Sequence, residues 1–126
     1  MARQPLVHGA RPSVGERVLI LKEDWLEKIL NGRKRLEIRG VRLREGDVWL
    51  GCRGAIHGKA RIEEAVPIRC LEDWEALRLQ HLVPGDVLPY KTTWGLPLSE
   101  VRRLDPVHYE HRRGAIGIVK FRPSHQ

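Results

Sequence analysis

The chain has 126 residues, 41% of them hydrophobic, with 23 Lys/Arg against 16 Asp/Glu and a formal net charge of +7. That length fits one domain with one core and excludes two cores joined by a linker. No stretch approaches the roughly 18 to 20 consecutive apolar residues that span a bilayer, and residues 1–15 lack the apolar segment of a secretory signal, so an intracellular protein, cytoplasmic or nuclear, with no membrane partner is expected.

Residues 1–15, with Pro5, Gly9, Pro12 and Gly15, read as a flexible lead-in to a domain over 16–122, and residues 123–126 as a tail. The apolar run 18–21 is a strand covered on both sides, and so a central one. Trp25, Leu26, Ile29 and Leu30 then recur at helical spacing, with Glu23, Asp24, Glu27 and Lys28 on the other face and Asn31-Gly32 as the stop. Immediately afterwards the period becomes two. Leu36 and Ile38 alternate with Arg35, Glu37 and Arg39, so a strand here buries the first pair and presents the charged trio together on its opposite face.

Val48-Trp49-Leu50 reads as the next strand, stopped by Gly51. The even parity of Ile56, Ala60, Ile62, Val66 and Ile68 predicts one long strand over 55–68, bent at Gly58. A second helix fits 71–81, with Trp74 and Leu77 inward and Pro84-Gly85 as its end. From 84 to 97 both periods vanish, which predicts a loop. Its two aromatics, Tyr90 and Trp94, stand among Lys91, Thr92 and Thr93 either as ligand contacts or, for Trp94, as a lid on the core. Residues 99–104 read as a helical turn capped by Ser99, and 115–121 as a closing strand.

Cys52 and Cys70 lack the paired spacing of a zinc site and read as two reduced core thiols. The six histidines are scattered, and the close pair His108 and His111 lies in a basic stretch, so a solvated or stacking role is preferred to metal ligation. The charge is uneven. Residues 1–63 hold 14 Lys/Arg against 8 Asp/Glu, whereas residues 64–126 hold 9 against 8. Arg33, Lys34, Arg35, Arg39, Arg42 and Arg44 crowd into one short stretch, a density that attracts phosphates and releases counterions.

The spacing G-x-K-x-x-E-x-R, carried by Gly32, Lys34, Glu37 and Arg39 between a helix and a strand, resembles the signature of the ASCH (ASC-1 homology) domains of the PUA-like group, over residues 17–122. The resemblance implies an α+β fold: a small β-barrel of about five to six strands with two or three short helices. It also implies a cleft that binds RNA or modified nucleotides. Some members are amidohydrolases acting on an acylated cytidine, and those have Thr where this chain has Glu37. No cofactor and no metal is expected, and a monomer is.

Two functions of different class follow. The first is a binding module for single-stranded RNA or a modified nucleotide, with DNA as the second candidate partner. Its site comprises Gly32, Lys34, Arg35, Glu37, Arg39, Tyr90, Lys91 and Trp94. Lys34 stands at the lip of the cleft as a phosphate contact, Arg39 offers a bidentate donor fork, Glu37 reads a base edge or serves only as an ion-pair partner, and an aromatic stacks. The second is a small hydrolase in the same cleft, an amidohydrolase on a modified nucleoside or a ribonuclease, with Lys34 and Glu37 catalytic.

Overall fold

A computed structural model describes residues 6–7 and 11–124; Pro5, His8, Gly9 and His125 lie outside the described residues. In chain order the elements are β1 (Leu6–Val7), β2 (Arg17–Ile20), α1 (Glu23–Leu30), β3 (Leu36–Arg39), β4 (Gly46–Cys52), β5 (Ala55–Ile62), β6 (Val66–Ile68), α2 (Leu71–Ala76), α3 (Arg78–His81), β7 (Thr93–His108) and β8 (Ile118–Lys120). Six strands run in the order β1-β7-β5-β4-β2-β8 as a curled half-barrel, and β3 and β6 branch from β7. This is the expected small α+β barrel. The strand β1 falls inside the stretch read as a lead-in and pairs in parallel with β7.

The helix α1 forms because its apolar stripe has somewhere to go: Leu26, Ile29 and Leu30 are buried against Leu19, Leu50 and Ile62. It stops at a Schellman turn. Gly32 takes φ 81°, its N–H donates to the Ile29 carbonyl and the Arg33 N–H to the Lys28 carbonyl. Because the Lys34 N–H also donates to the Lys28 carbonyl, the chain is still folded against the helix end when it reaches Lys34. The strand β3 follows with Leu36 and Ile38 packed on Ile68 and Trp74, as the alternation requires. Glu37 points the other way, yet it too is buried.

The loop expected over 84–97 holds as far as residue 92, whereas its last five residues and the helical turn expected over 99–104 are corrected by β7, a strand of 16 residues that holds both Trp94 and Ser99. Local propensity loses here because β7 has partners along both edges. One edge takes β5 and then β6, and the other takes β1 and then β3. The turn-like signal of Ser99-Glu100 survives as a bulge, with Glu100 at φ 50° where the register with β5 shifts.

Three further expectations change. The segment 55–68 is two strands rather than one bent strand, and β6 carries Pro67 because it pairs with β7 alone. The helix over 71–81 is broken at Leu77, which folds His81 back so that its ring stacks on Trp74 at 3.9 Å. Gly51 lies within β4 instead of stopping it; a Cβ there would stand 2.7 Å from Val18 Cγ1, so glycine lets β2 pack close. Of the two thiols read as core, only Cys52 is buried, and burial pushes its pKa up. Cys70 is exposed, its Sγ accepting the Asp73 N–H at the start of α2.

Candidate functional site

A cleft of about 560 Å³ opens where β3, the α1 start, the 83–90 segment and the 116–117 segment converge. Its floor is charged. Lys34 is 2% exposed and Glu37 6%, a burial that long charged side chains accept only when paired. Glu37 Oε2 accepts from Arg39 Nε at 2.8 Å and lies 2.7 Å from a terminal guanidinium nitrogen, which also donates to the Ile20 carbonyl at 2.7 Å. Arg39 therefore clamps one oxygen of the carboxylate and ties it to β2.

Lys34 Nζ donates to the His81 carbonyl at 2.5 Å, stands 3.7 Å from Glu37 Oε1 and lies 4.3 Å from the centroid of the Trp25 ring. Its pKa is lowered from 10.5 to about 8, first by burial, with Glu37 opposing the fall and Arg39 and Lys28 adding to it. The supporting residue is His81, itself fully buried. Its Nδ1 accepts the Val83 N–H at 2.9 Å, which leaves Nε2 as the protonated nitrogen donating to the Trp74 carbonyl at 2.9 Å. A second N–H at Nδ1 would face the Val83 N–H, and burial lowers the pKa of the ring, so His81 is a neutral positioning residue. The Arg35 N–H to the Gln80 carbonyl fastens β3 to the same short helix.

The walls are apolar. Ile20, Leu21, Trp25 and Ile38 line the interior, while the exposed Val41, Pro89, Tyr90 and Ile116 form the mouth, with Ile116 83% exposed. Tyr90 stands over the Gly40 backbone, where a Cβ would approach its ring to 3.0 Å. Among the described residues no Ser, Thr, Cys or His side chain lines this cleft. Among the described residues no group of three or more His, Cys, Asp or Glu side chains converges as a metal site.

Of the residues singled out in the sequence, the structure brings Lys34, Glu37, Arg39 and Tyr90 together. Lys34, expected at the lip, is on the floor, because the turn at Gly32 folds the chain under Trp25. Gly32 shapes that turn and does not line the cleft. Arg35, expected beside Glu37 and Arg39, is exposed and outside it; it stands on the loop ahead of β3, before the strand's alternation begins. Lys91 is likewise exposed and outside it. Trp94 does not line the cleft: it packs on the main core, the second of the two roles expected for it, half-buried in β7 with the Arg42 guanidinium 5.9 Å from its ring. The wall and rim residues Ile20 and Ile116 and the supporting His81 carried no local signal of a site. Trp25 alone left a trace, as a half-buried aromatic on the stripe of α1 beside the motif.

No family model and no curated protein sequence matches the chain. Among solved structures it is similar to the ASCH protein of Zymomonas mobilis, at 13% identity and TM-score 0.70, over 86% of this chain and 88% of that one. A serine-to-alanine variant of the same protein aligns at 15% identity and TM-score 0.71, over 89% and 92%. A tyrosine-to-phenylalanine variant aligns at 13% and 0.70, over 86% and 91%. With nine-tenths of both chains superposed and the motif of Gly32, Lys34, Glu37 and Arg39 at the end of α1 and on β3, this chain is folded as an ASCH domain.

Proposed function

We propose that the cleft binds one nucleobase of a single-stranded RNA or of a modified nucleotide. The observation that carries this reading is the buried Lys34–Glu37–Arg39 set at the floor of an apolar cleft. Arg39 occupies Oε2 of Glu37, so Oε1, 3.7 Å from Lys34, keeps lone pairs for an incoming donor. Lys34 beside it offers N–H to an incoming acceptor. Donor and acceptor side by side match the edge of a base whose exocyclic amino group neighbours a ring nitrogen, as in cytosine and adenine. Held in the pose of cytosine, uracil would set its O4 carbonyl against the Glu37 carboxylate and its N3–H against the Lys34 ammonium. The volume of about 560 Å³ lies in the range of small-ligand pockets, and Trp25 and Tyr90 supply aromatic surface for the ring. Arg33, Arg35, Arg42 and Arg44 are exposed and available to a phosphate backbone, whereas Lys34 and Arg39 are held by Glu37.

The test is a binding panel of nucleoside monophosphates and short single-stranded RNAs differing in one base. Cytosine or adenine over uracil by roughly 1–3 kcal/mol supports the reading; equal affinity for all bases overturns it. One observation favours hydrolysis in the same cleft: with a pKa of about 8, roughly a tenth of Lys34 is neutral at pH 7 and able to take a proton from water. As no Ser, Thr or Cys side chain lines the cleft among the described residues, such an enzyme would use water as its nucleophile. Turnover of an acylated nucleoside, lost in Lys34→Met, identifies that case.

A further inference from the structure

A second concavity, of about 190 Å³, lies beside the first and is lined by Glu110, Arg112, Lys120 and Arg122 among others. The two cavities share a wall. Ala115 lines the second while its chain neighbours Ile116 and Gly117 line the first, so the linings meet across one peptide step of about 3.8 Å. Lys120 and Arg122 are exposed and have no ion-pair partner among the described residues, while Arg112 stands 3.7 Å from Glu110. Three cations thus surround one carboxylate in a pocket too small for a nucleoside but ample for a phosphate group.

We infer that this pocket holds the backbone phosphate of the nucleotide flanking the one whose base enters the cleft, so that the ligand is a strand rather than a free nucleoside. The inference rests on the nucleobase reading of the cleft and adds to it a direction, from the cleft over Ile116 toward Lys120 and Arg122. Because consecutive residues line the two cavities, one strand leaving the cleft over Ile116 would reach the second pocket with its next phosphate. Arg112, Lys120 and Arg122 supply the positive charge for that phosphate, with Arg112 3.7 Å from Glu110.

The experiment titrates cytidine 5′-monophosphate, the single-stranded RNA tetranucleotide CCCC and inorganic phosphate into the whole chain and into Lys120→Ala/Arg122→Ala, with Lys120→Gln as a milder second variant and melting curves to verify folding. The expected result is tetranucleotide affinity on the order of tenfold weaker in the double variant, a salt slope shallower by about 0.7 for one phosphate lost, and unchanged affinity for the mononucleotide. Equal loss for both ligands, or loss for neither, overturns the inference while leaving the cleft reading to its own test. Inorganic phosphate bound as tightly as the tetranucleotide at Lys120 and Arg122 also overturns it, because the site would then serve a free anion. If the mononucleotide fails to bind but the tetranucleotide binds and depends on Lys120 and Arg122, the cleft reading falls and the phosphate site stands. Binding of neither ligand removes both.

Discussion

Replacing Lys34 with Met tests the physics of the floor directly. Met keeps an unbranched chain against Trp25 and removes the charge. A fall of the pKa from 10.5 to about 8 corresponds to about 3 kcal/mol by which folding disfavours the ammonium. The sign follows from proton binding. Between pH 8 and 10.5 the unfolded chain holds the Lys34 proton and the folded chain has released it, so wild-type stability rises with pH across that window. At pH 7 nearly the full penalty of about 3 kcal/mol is present; at pH 10 about 1 kcal/mol remains.

The Met variant has no such penalty at either pH, and it leaves the His81 carbonyl without its donor by the same amount at both. The stability difference, wild type minus variant, should therefore grow by roughly 2 kcal/mol from pH 7 to pH 10. Tyr109 and Cys52, whose pKa values burial raises, titrate in both proteins and cancel. Urea denaturation of both chains at the two pH values measures this difference. A flat difference would show that Lys34 is not desolvated on the floor, and a shrinking one that its attraction to Glu37 outweighs burial.

Glu37→Gln leaves Lys34 and Arg39 buried or half-buried without their shared anion, and should cost about 3 kcal/mol in denaturant unfolding; at the same time the preference among bases should flatten, and a variant with unchanged preference would make Glu37 a purely structural partner. His81, held neutral by burial, resists a proton that the unfolded chain accepts near pH 6.5, so stability should fall as pH drops below that value. His81→Leu should lose part of this acid sensitivity, measured as the change in melting temperature between pH 7 and 5, and an identical slope in both chains would refute it. Gly58→Ala would place a Cβ 2.7 Å from Leu30 Cδ2 and 2.8 Å from the Arg102 carbonyl oxygen, where β5 passes under α1. Because one of those neighbours is backbone, a loss of about 1–3 kcal/mol is expected, and a neutral variant would mean that β5 shifts freely.

Local chemistry alone determined the helix α1, its glycine stop and the alternation of β3, because each depends on residues within a few positions of one another: an apolar stripe with a place to pack, a left-handed cap, a two-residue period. The same short stretch contains the whole charged floor, Lys34, Glu37 and Arg39, so the chemistry of the site was legible before its shape. Its depth was not. Lys34 is buried by Trp25, by the His81 carbonyl and by the loop carrying Val83 and Tyr90, partners from other elements whose approach no local pattern encodes. The strand β7 shows the same division. Pro97 and Ser99-Glu100 are turn formers by propensity, and they lie in a strand because β5 and β6 on one edge, and β1 and β3 on the other, satisfy backbone groups that a local reading leaves unpaired. Propensity acts over a few residues, whereas sheet edges and cleft walls are assembled from segments tens of residues apart, and only the folded chain brings those into contact.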